Sequence, residues 1–131
     1  MSETARTIPL KVFVVENHPD TLQTLKTYLE DMGHDVTTAS TITQALNVLP
    51  RINCDLLLCD IGLPDGFGWE LMQKLPTKVF SVAMSGFGMN ADSARSHEVG
   101  FRHHLLKPFK AAELDRVVNE AAAERARREN E

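Results

Sequence analysis

The chain has 131 residues, a formal charge of −4, and 43% apolar and 24% charged residues. That is room for one domain able to bury about two thirds of the surface its unfolded chain exposes, with no need of a disulfide or a structural metal. Mild acidity without a basic stripe argues against direct nucleic-acid binding. No apolar run approaches the ~20 residues of a membrane span and residues 1–10 hold no apolar signal core, so a cytoplasmic protein clear of the membrane is expected.

Residues 1–9 read as a loose lead-in to a domain over residues 10–123. The first apolar segment, residues 10–15, predicts a strand, followed by Glu16 and Asn17. Leu22, Leu25, Leu29 and Met32 recur at helical spacing, and Gly33 is placed to end that helix. Residues 35–39 predict a second strand. Residues 41–49 predict a helix with Ala45, Leu46 and Leu49 on one face and Pro50 behind it. Residues 55–59 predict a third strand, with Asp60 next. Cys54 and Cys59, five residues apart in that reading, would face opposite sides of the sheet, poorly placed to chelate one metal or bridge each other, and are expected to be reduced, buried thiols. Phe67 and Trp69 are expected in or near the core.

Trp69, Met72 and Leu75 predict a short third helix closed by Pro76, and residues 79–83 a fourth strand with Ser85 and Gly86 soon after. Residues 90–99 predict a weakly apolar fourth helix ended by Gly100, and residues 101–106 a fifth strand followed by Lys107. Leu114, Val117, Val118 and Ala121 mark a fifth helix that continues into a charged extension, residues 124–131. There Arg125, Arg127 and Arg128 alternate with Glu124, Glu129 and Glu131 as a solvated helix end. Nothing of domain size follows Ala123.

Strict β-α alternation predicts an α/β fold, a doubly wound five-stranded parallel sheet with right-handed crossovers and helices on both faces. Such sheets place sites at the carboxyl ends of their strands. Those ends hold Glu16 and Asn17, Asp60, Ser85 and Lys107. Together they suit phosphoryl transfer: a carboxylate nucleophile approaching an anionic phosphoryl group needs a cation and a lysine to offset repulsion. Oxygen ligands such as Glu16, Asn17 and Asp60 suit a hard ion such as Mg2+. Ser85 can donate to a phosphoryl oxygen, Lys107 can pair with another, and Gly86 leaves room beside them.

The stretches Val14-Val15-Glu16-Asn17-His18, Leu58-Cys59-Asp60-Ile61-Gly62-Leu63-Pro64-Asp65-Gly66, Met84-Ser85-Gly86 and Leu106-Lys107-Pro108-Phe109 resemble the four signatures of receiver (phosphoacceptor) domains of the two-component response-regulator family, over nearly the whole chain. The 22-residue step from Ser85 to Lys107 also matches, and the run from Gly100 to Pro108 is similar to receivers of hybrid histidine kinases. The resemblance implies a flavodoxin-like (βα)5 fold. It also implies phosphorylation of Asp60 by a phosphohistidine on a kinase or a histidine phosphotransfer protein. Mg2+ would be held by Glu16, Asn17, Asp60 and the Gly62 carbonyl. Ser85 would move toward the phosphoryl group, Lys107 would pair with it, the bond to Pro108 would be cis, and His104 would occupy the aromatic switch position. The fourth helix, fifth strand and fifth helix would then report to a downstream protein target, as a monomer or a weak dimer. The chain would be a signalling phosphoacceptor rather than an enzyme.

The sequence departs from that pattern at Asn17, where relatives have an acid, which predicts weaker Mg2+ binding, and at His104, where they have Tyr or Phe. His103 should face the other side of the sheet. A phosphate-independent interaction module, a pseudo-receiver, is the alternative reading. A phosphohydrolase would need a second acid where Gly62 stands.

Overall fold

A computed structural model describes residues 8–76, 78–86 and 93–130. In chain order the elements are β1 (Lys11–Val15), α1 (Pro19–Asp31), β2 (Asp35–Ala39), α2 (Ile42–Val48), β3 (Leu56–Asp60), β4 (Gly62–Leu63), β5 (Gly66–Phe67), α3 (Gly68–Lys74), β6 (Ser81–Ser85), α4 (Ser93–Glu98), β7 (His103–Leu106) and α5 (Ala111–Glu129). Five strands form one parallel sheet in the order β2-β1-β3-β6-β7, while β4 and β5 make a separate two-residue hairpin. The chain order reverses between β1 and β3, so the crevice at their carboxyl ends is the place where such a sheet opens to ligands. The expected doubly wound sheet is therefore present. The hairpin was not expected, and the fourth and fifth strands begin later than the apolar runs that foretold them. Residues 90–92, expected to start the fourth helix, lie outside the described residues.

Both faces of the sheet are covered, which explains why its central strands are continuous apolar runs. Val12 and Val14 of β1, Leu56 and Leu58 of β3, and Val82 and Met84 of β6 pack with Leu25 and Leu29 of α1 and with Leu114, Val117, Val118 and Ala121 of α5. The alternate residues Phe13, Val15, Leu57, Cys59 and Ala83 turn to the other face, against Ile42 and Ala45 of α2 and Leu71 of α3. Each Val, Leu, Ile, Phe or Met among them contributes about 1.5–3 kcal/mol on leaving water.

Local chemistry sets the ends of the elements. Pro19 occupies the first turn of α1, where its missing N–H costs nothing. After the helix Gly33 takes a left-handed φ of 98°. Thr41 accepts the Gln44 N–H at 3.0 Å to cap α2. Asp65, in the β4–β5 turn, adds a second cap by accepting from the backbone N–H groups of Ile42 (2.9 Å) and Thr43 (3.0 Å). Those bonds, Ile42 first, hold its carboxyl below the usual range. The hairpin is thereby tied to α2.

Three expectations fail. Cys54 precedes β3, so strand alternation does not govern it, and it packs against the same side of the sheet as Cys59. Both thiols are free, and burial pushes Cys54 up to about 12. Phe67 is 50% exposed, lying outside the core and stacked on Trp69 with ring centroids 5.5 Å apart. The arginines of α5 are not uniformly solvated. Arg125 donates to the Pro9 carbonyl at 2.7 Å and meets Asp55 at 3.3 Å, and Arg128 comes within 3.7 Å of Asp55. Arg127 and Arg128 are the exposed arginines of the cluster, and Arg125 is the one most covered.

Candidate functional site

Parallel pairing brings the carboxyl ends of β1, β3, β6 and β7 to one edge. Val15 is in register with Cys59, Asp60 with Met84, and Ser85 with Leu106. Glu16 follows β1, Asp60 and Ser85 are the last residues of β3 and β6, and Lys107 follows β7. All but Lys107 are buried, with Asp60 4% exposed. The Lys107 ammonium bridges the two carboxylates, donating to Glu16 Oε1 and, at 2.9 Å, to Asp60 Oδ2. Asp60 Oδ1 accepts the Gly62 N–H at 3.1 Å. Glu16 Oε2 accepts the His18 N–H at 3.0 Å, and His18 Nδ1 lies 3.0 Å from the same oxygen.

The electrostatics separate the two acids. Burial works to raise the Glu16 pKa, but the bonds from Lys107 and His18 outweigh it, and Glu16 stays below its ordinary value. Burial also raises Asp60, the Glu16 charge adds to the effect, and Lys107 and Gly62 offset only part of it. Lys107 is held above the usual lysine value: its bonds to Glu16 and Asp60 overcome its own burial. Two carboxylates against one ammonium leave a negative charge uncompensated in a poorly solvated place, the condition under which a divalent cation is stabilising. Donor atoms of Glu16, His18 and Asp60 lie within 4.8 Å of one another. The oxygens of Glu16 and Asp60 therefore fit a hard cation.

Asn17 is exposed beside this cluster, and Gly62 reaches Asp60 through its N–H. Gly86 follows Ser85; among the described residues a Cβ there would meet no heavy atom within 4 Å. The Lys107–Pro108 peptide is cis. Ser85 Oγ lies 2.8 Å from His104 Nε2, and His103 turns to the opposite face to meet Glu120 at 2.8 Å. Sequence reasoning missed His18, whose place two residues after Glu16 on the lead into α1 was the available signal. It also missed Gly68. A Cβ on Gly68 would sit 2.6 Å from the Asp60 carbonyl oxygen and 3.0 Å from Cys59 Sγ, so glycine alone lets α3 start against the end of β3.

A family model described as the response regulator receiver domain matches residues 12–119. The probable transcriptional regulator ycf29 of Pyropia yezoensis is 31% identical over 118 residues, covering 86% of this chain and 53% of its own length. The sensor protein EvgS of Escherichia coli O157:H7 is 33% identical over 107 residues, covering 81% of this chain and 9% of its own. The chain thus spans about half of the first relative and under a tenth of the second. A CheY-like response regulator receiver domain protein from Methanospirillum hungatei superposes with a TM-score of 0.83 at 25% identity, over 92% of this chain and 99% of that one.

Proposed function

Because the chain belongs to the response regulator receiver domain family, we propose that Asp60 accepts a phosphoryl group from a phosphohistidine on a histidine kinase or histidine phosphotransfer protein. The observation that carries this reading is the Lys107 ammonium spanning Glu16 and Asp60 across three strand ends. An Asp60 carboxylate oxygen would attack phosphorus, the P–N bond to the donor imidazole would break, and its electron pair would leave with that imidazole. Lys107 would then pair with a phosphoryl oxygen, and Ser85 would donate to another.

Glu16 and Asp60 would hold Mg2+, with the Asn17 amide oxygen and the Gly62 carbonyl as further oxygen ligands. The ion supplies positive charge against the phosphoryl oxygens. Uptake and hydrolytic loss of the group are the whole of the chemistry. The product is a changed protein-binding surface on α4, β7 and α5, where Leu106 is exposed, offered to a downstream protein or to a second copy.

Incubation with acetyl phosphate and Mg2+, followed by intact-mass measurement, tests the reading. One phosphoryl mass is expected on the wild type and none on Asp60→Ala. A gain that persists in Asp60→Ala, or no gain at all, would move the assignment to a phosphate-independent interaction module. The neutral Asn17 beside the acids is the observation favouring that second reading.

A further inference from the structure

His104 stands in the middle of a hydrogen-bonded chain that runs from the strand-end site through α4 to α3. Its Nε2 lies 2.8 Å from Ser85 Oγ, and its Nδ1 lies 2.9 Å from Ser96 Oγ. Ser96 is 1% exposed, the buried residue of α4. Trp69 of α3 donates its indole N–H to the same Ser96 oxygen at 2.9 Å. The guanidinium of Arg95 covers that indole, 4.6 Å from the ring centre.

The chemistry of the four groups fixes the first bond and allows one consistent direction for the rest. An indole N–H can only donate, so Ser96 Oγ accepts from Trp69. Ser96 Oγ keeps a second lone pair and its own proton, and with that proton directed at His104 Nδ1 the ring nitrogen is an unprotonated acceptor. In that arrangement the proton of a neutral imidazole sits on Nε2 and is donated to Ser85 Oγ. Ser85, already accepting from His104, has its own hydroxyl proton free to point away from the ring, toward an incoming phosphoryl oxygen. We propose that Trp69 and Ser96 are positioning residues that lock His104 in the Nε2–H tautomer, so that Ser85 presents a donor to the phosphoryl group and its engagement is felt at α3 and α4. This rests on Asp60 as the acceptor and names the device that reads its modification.

The tautomer can be measured with no ligand, by nitrogen-15 NMR of the imidazole ring. The wild type should carry the His104 proton on Nε2; a proton found on Nδ1 overturns the proposal. Beryllium fluoride with Mg2+, a non-covalent phosphoryl mimic, should then shift the indole N–H resonance of the single tryptophan. In Ser96→Ala that shift should be lost and the tautomers should mix, while acetyl phosphate still adds mass to Asp60. An indole response equal in wild type and Ser96→Ala overturns the proposal. Should Ser96→Ala fail to fold, Trp69→Phe must likewise mix the tautomers, and an unchanged ring in that variant overturns it too. Absence of any mass gain on wild-type Asp60 would defeat the acceptor reading instead, and the unliganded tautomer measurement would still decide the relay.

Discussion

The two edges of the sheet each carry buried or half-buried acids held by cations, and they are balanced differently. At the amino edge Asp55 Oδ2 accepts the Lys11 backbone N–H at 2.9 Å and meets Arg125 at 3.3 Å, with Arg128 3.7 Å from Oδ1. Asp55 faces two guanidinium groups and a backbone donor, and Glu129 and Glu124 share those guanidinium groups at 3.2 and 3.7 Å, so acids and cations are matched there. At the carboxyl edge two carboxylates, Glu16 and Asp60, share one ammonium. The first arrangement is a clasp that ties α5 to the start of β1 and leaves little to be gained by adding a ligand. The second is short of positive charge, and it gains most when a cation arrives. Salt bridges alone do not mark a functional site; the uncompensated charge does.

Neutralising one acid at each edge is the sharpest way to break the comparison. Asp60→Asn should abolish phosphoryl uptake completely. It should also raise stability in the absence of metal by about 1 kcal/mol, because burial and the Glu16 charge disfavour the ionised form. Asp55→Ala should leave uptake intact and cost about 1–3 kcal/mol, since the Lys11 N–H and Arg125 lose their acceptor. Urea denaturation and intact mass on both variants check this; equal signs of the stability change would erase the distinction.

Gly68→Ala should come next in size. Its Cβ would overlap the Asp60 carbonyl oxygen, a backbone atom that cannot swing aside. The start of α3 must move off β3, at a cost of about 1–3 kcal/mol. Because the disturbed peptide is that of the proposed acceptor, uptake from acetyl phosphate should slow as well, which no overpacked site at the amino edge would cause. The denaturation midpoint and the rate of mass gain are the two readouts. Asn17→Asp should have a smaller effect, tightening Mg2+ binding by about tenfold, or ~1.4 kcal/mol. A metal titration giving equal affinities would show that Asn17 stands outside the ligand set.

Much of this was legible because the pattern and the structure obey the same rule. Nearly continuous apolar runs at β1, β3 and β6 meant strands covered on both faces, and the polar residues at the ends of those runs marked the edge where chemistry is expected to collect. Cys54 was misplaced because the strand begins two residues later, and alternation has no meaning outside a strand. Phe67 was misplaced because a two-residue hairpin holds it at the rim, which no apolar periodicity announces. Ser96 escaped for the opposite reason. The one buried position of α4 is a hydroxyl, so a search for apolar faces finds a weak helix there and passes over the residue that joins Trp69 to His104.

The smallest predicted effect lies near neither set of charges. His34, in the turn between α1 and β2, is 4% exposed and accepts the Leu10 N–H on Nδ1 at 3.0 Å. Its Nε2 is, among the described residues, the buried side-chain nitrogen or oxygen without a hydrogen-bond partner. Protonation would put a proton where Leu10 donates and leave a cation with no acceptor, and burial accordingly lowers the His34 pKa. The folded state thus takes up its proton later than the unfolded chain, whose histidine titrates near about 6.5. Stability from this group is complete above that value and falls as the pH drops through it, at no more than about 1.4 kcal/mol per pH unit. His34→Asn keeps an oxygen close to the Nδ1 position and cannot titrate. Urea midpoints at about pH 7.5 and 5.5 should therefore differ more in the wild type than in the variant. An equal difference would show that His34 does not set the acid sensitivity in this range, and Glu16, held below its ordinary value, loses its stabilisation only at lower pH.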